Sequence, residues 1–567
     1  MADYKDSLDF TRKLATTKLD CGLTLSELAG YDDIAMWWFA RFDLIDLLLH
    51  MPDECDAYRP TELKFHSIVC SLPLWMFSFL NFCFDLTRKI FIKSILLFCR
   101  KNKIEASLPR KKILFTAEDI RWDRMMDYKT GESRKTDTFF DPLLNILKDD
   151  YTLIGTYPCV KYIYPFSSAM ESLKILIDKA KNWDIQHLPF NVFWTAKIWL
   201  KEYRAACHFM KQWKLLAKDK KFRQLCNFKG TDIFDLISRQ LKFYFLVLFP
   251  CAVKRIAISK IMLGKVSPAT VVLINEYGIF ERALIIAAKQ KGIPTIAIQH
   301  GNIQPWHQGY MYAKEDVSAD GLVTSPYCPM PDRTAVYGSY FKKLLSTESA
   351  YPEDSLVITG PPRYDILSTL KEQFTAESIL KEYNIPLNRK VILWTTQCIG
   401  MTEEENIANA KAFAAAFEQL DEVVLVIKQH PRERPEHLKI LQKYLHLPKD
   451  NIVISPITAD TLKLIHACDL MVTKFSTTAV EAIALDKPLI LMNLTDEPDR
   501  IEYVKQGIAV GVYKPEDLAP IIRKIFNNET DMAEKRKEYI QRYLYRIDGQ
   551  AASRVAGAIV DMLNNKN

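Results

Sequence analysis

What the chain lacks narrows its chemistry first. Its twelve cysteines are scattered through apolar segments, as at Cys70, Cys83, Cys99, Cys398 and Cys468, without a CxxC pair or regular spacing. That excludes a disulfide framework, favours a reducing compartment and leaves no zinc pattern. The first thirty residues carry Asp and Glu among their apolar positions and have no uninterrupted apolar core, so no cleaved secretion signal is expected. No internal repeat or low-complexity tract appears, which sets repeat architectures aside. Nor does an acid pair follow a strand in the way a divalent metal would need: "KDD" (148–150) precedes a strand, and "DECD" (53–56) lies in a helical region. Neither a metal nor a cofactor is therefore expected. A net charge of +7 over 567 residues is modest, and no nucleic-acid partner is expected.

The length is too great for one core and predicts two or three domains. Residues 1–110 read as helical. Within them "SIVCSLPLWMFSFLNFCFDL" (67–86) is long enough to cross a bilayer, yet it contains Pro73, Asn81 and Asp85. The stretch from Arg88 to Lys112 follows with nine Lys or Arg and one acid, Glu105. Three readings stand: an in-plane contact of residues 67–112 with an anionic membrane surface, a buried helix pair, or a true span. From Lys111 the texture becomes α/β. "KKILFTAEDIRW", "YTLIGTYP", "TVVLINEYG", "IPTIAIQHG", "GLVTSP", "RTAVYG" and "SLVITGPPRYD" read as strands, interrupted by a helical insertion at about 165–265. After a charged break near 370–388 the pattern returns with "VILWTTQ", "EVVLVIKQHP", "NIVISP", "DLMVTKFS" and "PLILMN". Continuous apolar runs of this kind belong to parallel strands covered on both faces. The expectation is two doubly wound, Rossmann-like domains at 111–385 and 386–530, with a last helix through about 530–565 in the closing segment 531–567.

Ligands of such sheets collect at the carboxyl ends of the strands. His300 and Gly301 stand at one such end, His430 at another, flanked by Lys428 and Arg432. Glu276 also follows an apolar strand. Ser476, Thr477 and Thr478 form a hydroxyl-rich turn into a helix that carries Glu481 in its first turns, and such a helix start offers N–H groups to a phosphate. Read blandly, the Ser-Thr-Thr turn is only a cap, the strand-end histidines only turn the chain, and Arg363 and Asp365 in "GPPRYD" (360–365) form a loop salt bridge. Read together, two domains facing across a cleft would enclose a nucleotide diphosphate, with Arg363 and Asp365 on the wall. The other eight histidines lack such a setting, and most of them read as surface or core fillers.

Taken in order, "QHG" (299–301), "GPPRYD" (360–365), "KQHP" (428–431), "CDLMVTKFSTTAVEAIALDKP" (468–488) and "DGQAASRV" (548–555) resemble the GT-B branch of CDP-glycerol glycerophosphotransferases and capsule-type glycosyltransferases, related to UDP-N-acetylglucosamine 2-epimerases. The resemblance covers about residues 265–560. It implies that His300 is the base toward an acceptor hydroxyl and that His430 and Ser476 to Thr478 hold the donor's phosphates. The glycerophosphotransferases carry "HGTP" where this chain has "HGNIQPW". The leading expectation is accordingly a metal-independent glycosyltransferase, on the cytoplasmic face of the cell membrane, using a nucleotide sugar and a surface-glycan or lipid-linked acceptor, with Glu276 assisting His300. A CDP-glycerol-type phosphotransferase and a non-catalytic sugar-nucleotide or glycan-binding subunit are the alternatives.

Overall fold

The computed structural model describes residues 4–49, 70–99, 110–159, 166–183, 185–397, 401–433, 435–495, 497–530 and 532–564. Helices α1 (Tyr4–Thr16), α2 (Trp37–Leu49) and α3 (Leu74–Cys99) come first. α3 has two unlike faces. Ser78, Asp85, Ile92 and Cys99 are buried, with Ile92 packed on Cys159 and Leu176 and Asp85 paired with Arg88 and Lys254. Trp75, Phe79, Ile90, Phe91, Leu97 and Phe98 are exposed, Phe98 to 92%. At 100° per residue these two sets fall on opposite sides of the helix. No helix among the described residues is long and apolar enough to cross a membrane. Residues 67–69, the "DECD" segment, Arg100, Lys101, Lys103 and Cys398 lie outside the described residues.

The first sheet begins with β1 (Lys112–Thr116), continues through a hairpin of β2 (Trp122–Met126) and β3 (Ser133–Asp137) that stands apart from it, and resumes after α4 (Asp141–Leu147) with β4 (Thr152–Thr156). Next come α5 (Phe166–Asn182), β5 (Gln186–His187), α6 (Ala196–Leu216), α7 (Phe234–Phe243) and α8 (Phe249–Val266), then β6 (Thr270–Leu273), α9 (Ile279–Lys289), β7 (Thr295–Ile298), β8 (Arg333–Val336), α10 (Ser339–Thr347) and β9 (Leu356–Ile358). The order across the sheet is β9-β8-β7-β6-β1-β4-β5, all parallel. The chain starts in the interior of the sheet and reverses its direction of growth between β1 and β6. There the turns leaving adjacent strands diverge and open a crevice.

α11 (Asp365–Gln373) leads to the second sheet: β10 (Lys390–Thr395), α12 (Glu403–Phe417), β11 (Val423–Lys428), β12 (Ile452–Ile454), α13 (Thr461–Ala467), β13 (Leu470–Thr473), α14 (Thr478–Ala484), β14 (Leu489–Met492) and β15 (Val510–Val512). Its order is β12-β11-β10-β13-β14-β15, again parallel, with the reversal between β10 and β13. Two doubly wound parallel sheets, one per lobe, make up the α/β body, as the sequence pattern predicts.

The helices before the first sheet and those within it share one core, in which Phe10, Leu14, Trp37 and Leu44 pack with Phe209, Phe245, Ile256 and Ile286. Two expectations are corrected. Gly321–Pro326, read as a strand, joins no sheet: its backbone is bound by the N-terminal region instead, Ser325 N donating to Asp33 O and the Trp38 indole to Pro326 O. The closing segment is not one helix. It breaks at Tyr545 and Gly549, both with left-handed φ, before α16 (Ala551–Asn564), numbered after α15 (Leu518–Phe526). α16 then crosses back to the first sheet, where Val555, Ile559 and Met562 pack with Ile113, Ile274 and Leu143.

Candidate active site

At the reversal point of the first sheet the strand ends are tied sideways to one another. Glu118, after β1, accepts from the Asn275 amide after β6 at 3.2 Å, and Arg121 pairs with Glu118 at 3.6 Å. Gln299, wholly buried beneath His300, donates to Gly301 O and accepts from Tyr337 N, both at 2.8 Å. The Gln-His-Gly turn is thus locked to the end of β8. His300 projects from it half-buried, with Nε2 at 3.5 Å from the Tyr277 hydroxyl. Burial pushes its pKa down to about 4, with Arg121 and His307 adding to the effect and the Ile274 backbone opposing it. A Cβ on Gly301 would meet nothing within 4 Å. The space on the Cβ side of Gly301 is open.

Glu276 lies deeper, 2% exposed. One carboxylate oxygen accepts from the Tyr351 hydroxyl and the other from Thr334 at 3.0 Å. Burial raises its pKa to about 7, against the pull of those bonds and of Arg282. Both oxygens are engaged inside the lobe, so Glu276 supports the strand ends from below.

In the second lobe Gln397, after β10, accepts from Thr473 Oγ1, Lys474 N and Phe475 N at 3.0–3.3 Å, which shapes the turn after β13. Ser476 Oγ accepts from Thr478 N at 3.3 Å and Thr478 Oγ1 at 2.8 Å. Thr477 is exposed and makes no capping bond to α14, a helix of seven residues. Lys428 turns inward: its ammonium donates to Gln429 O at 2.7 Å and Ile457 O at 3.0 Å, and burial lowers its pKa while Glu433 and Asp460 raise it. His430 is half-buried, its Nδ1 accepting from Arg432 N at 3.1 Å; the Arg432 residue itself is exposed.

The lobes meet through these same turns. Arg363 reaches across to Glu481 at 2.9 Å, and Tyr128, from the β2–β3 hairpin, donates to Asp460 at 2.7 Å. Glu481 is buried, which raises its pKa; Arg363 lowers it and Asp460 raises it further. Arg121 acts on both His300 and Tyr337, Arg363 on both Tyr337 and Glu481, and Asp460 on both Glu481 and Lys428. Charged groups therefore lie near one another from the His300 end of one sheet to the Lys428-His430 end of the other, with Arg363–Glu481 and Tyr128–Asp460 as direct contacts between the lobes. Asp365 does something else. Its carboxylate caps α16, accepting from Ala551 N at 2.9 Å and Ala552 N at 2.8 Å, so "GPPRYD" and "DGQAAS" are two sides of one contact, closed by Arg554 on Thr359 O at 2.7 Å.

The sequence pattern of the CDP-glycerol:poly(glycerophosphate) glycerophosphotransferase family matches residues 259–561, the stretch that carries His300, Arg363, His430 and Ser476. The chain belongs to this family. It is a transferase. No curated protein matches it. Among solved structures it is similar to the UDP-GlcNAc 2-epimerase from Neisseria meningitidis bound to UDP-GlcNAc, at 15% identity over 80% of this chain and 99% of that one, TM-score 0.45. It is also similar to the wall teichoic acid polymerase TagF, at 12% identity over 86% and 98%, TM-score 0.42. A glycosyltransferase from Rickettsia africae ESF-5 is 14% identical over 80% and 99%, TM-score 0.43.

Sequence reasoning missed Tyr277, Arg121, Tyr128, Asp460 and His307. His307, one of the eight histidines without a strand-end setting, has its ring 5.2 Å from that of Tyr277. A signal existed: it follows His300 by seven residues, in the loop that leaves β7.

Proposed function

We propose that this family member moves a sugar from a nucleotide sugar to a hydroxyl of a surface-glycan or lipid-linked acceptor, with His300 as general base. The supporting observation is the half-buried imidazole at the reversal point of the first sheet, in a lobe whose turns meet those of the second through Arg363 and Glu481. His300 takes the acceptor proton on Nε2. The acceptor oxygen then attacks the sugar carbon, the bond to the nucleotide diphosphate breaks, and the leaving group stays on His430, Arg432 and the Ser476–Thr478 turn, whose charge-assisted bonds contribute about 1.5–3 kcal/mol each. A low imidazole pKa keeps the base neutral before substrate binds. Donor phosphates entering near Arg121 offset that cation and raise the proton affinity toward the working pH.

A thermal-shift screen of UDP-, GDP-, CMP- and CDP-linked donors identifies the nucleotide. With that donor, His300→Ala abolishes turnover and leaves nucleotide affinity nearly intact, whereas His430→Ala weakens affinity. Equal loss of affinity in both variants contradicts the roles. The family match supports a second reading, a glycerophosphate donor, for which release of CMP from CDP-glycerol is the diagnostic product.

The exposed apolar side of α3 supports a finer location. The protein works at the cytoplasmic face of the membrane, lying on anionic lipid through the apolar outer side of that helix. Lys93 and the basic residues that follow α3 in the sequence supply the charge.

A further inference from the structure

Beside the proposed base stands a phenol with no part in the transfer as written. The Tyr277 ring is clamped on several sides: Phe42 stacks on it at 5.2 Å and 8°, Tyr310 meets it edge-on at 5.4 Å, and His307 lies at 5.2 Å. Gly309 completes the clamp, because a Cβ there would come within 2.5 Å of the ring. Phe42 belongs to α2, and its neighbour Arg41 holds the same loop, donating to Gln308 O at 3.0 Å and Met311 O at 2.7 Å. What this machinery fixes in space is one hydroxyl, 3.5 Å from His300 Nε2.

We propose that Tyr277 is the positioning residue of the His300 imidazole, its hydroxyl donating to Nε2 in the resting enzyme, and that α2 holds it in place through Phe42. The inference rests on the reading of His300 as base. A donor at Nε2 selects the tautomer with the proton on Nδ1 and makes Nε2 the accepting nitrogen, the position that an acceptor hydroxyl takes over from Tyr277 when it binds. Burial raises the Tyr277 pKa to about 12, with Glu118, Glu281 and Glu276 adding to it and Arg121 opposing. The phenol therefore stays a donor through the neutral range. The N-terminal helices, which lie outside the stretch matched by the family, thereby become part of the acceptor side.

The test is a pH titration of the full chain labelled with 13C-histidine, the His300 resonance being assigned by its loss in His300→Gln. A hydrogen bond made to the neutral ring suppresses protonation, so Tyr277→Phe, which keeps the stack, should bind the His300 proton roughly two- to tenfold more tightly. Phe42→Ala should move the titration the same way, and Phe42→Tyr should restore the wild-type curve. In turnover with the donor found by the screen, Tyr277→Phe should move the acid limb of the kcat/KM profile to higher pH with donor KM unchanged. A Tyr277→Phe titration that overlays wild type overturns the inference. An active His300→Ala enzyme would instead overturn the base assignment and leave the titration result standing.

Discussion

Glu276 gives a prediction whose magnitude follows from its surroundings. Its carboxyl sits 2% exposed with a pKa near 7 in place of 4.5. Between those values the unfolded chain has released the proton while the folded chain keeps it. Stability therefore falls as pH rises through the window, and the loss is complete above about 7. The difference corresponds to roughly 3 kcal/mol. Glu276→Gln cannot ionise, has the same shape, and keeps both contacts if the Thr334 hydroxyl turns to accept from the new amide. The variant should match wild type near pH 4.5 and exceed it at pH 8. For a lobe of this size about 3 kcal/mol is on the order of 6 °C in Tm. Near-UV circular dichroism melts at the two pH values measure it. A variant equally destabilised at both would show that the carboxylate is charged and well compensated where it lies, and the argument from burial would fail.

Removing the carboxylate in Asp365→Ala strips α16 of its cap and should lower stability by about 1–2 kcal/mol, with faster amide exchange in residues 551–564; unchanged exchange would refute the capping role. Gly338→Ala would drive a Cβ to 2.3 Å from Arg542 O, and since backbone must yield, a loss of about 1–3 kcal/mol is expected in denaturant melts. A melt within 0.5 kcal/mol of wild type, roughly the spread of neutral surface changes, would mean that the crossing is not tight. Serine at Phe79, Phe91 and Phe98 together should abolish flotation with phosphatidylserine vesicles while leaving thermal stability within a few tenths of a kcal/mol, roughly what exposed sites show. Undiminished flotation would remove α3 from the membrane contact.

The strands of both sheets were legible because each is an apolar run closed by a polar turn, and the turns naming His300, His430 and Ser476 came with them. Other features depended on partners remote in the chain. Val323 is buried and looks like strand material, but its segment spends its backbone bonds on Asp33 and Trp38, nearly three hundred residues earlier in roughly that span. The β2–β3 hairpin carries charge at half of its positions and gives no apolar period to read. Asp365 and Ala551 stand 186 residues apart, so nothing local marks them as one contact rather than two ligand motifs. Lys428 has the charge a phosphate site wants; only the fold reveals the two carbonyls that already hold it. Tyr277 follows Glu276 directly, yet its environment is assembled from α2 and the loop after His300, and no window of sequence contains all three.

The return of α16 sets the timing of assembly during synthesis. The strands of the first sheet leave the ribosome early, but the side on which Ile113, Ile274 and Ile298 lie is closed only when Val555, Ile559 and Met562 arrive. Until the final segment emerges, that apolar surface is covered only in part, by α4 and the residues before it, and its remainder is a natural binding place for a chaperone. A premature stop anywhere in the second lobe would therefore harm the first lobe as well, and a shortened chain should be recovered as aggregate rather than as a free, folded acceptor half.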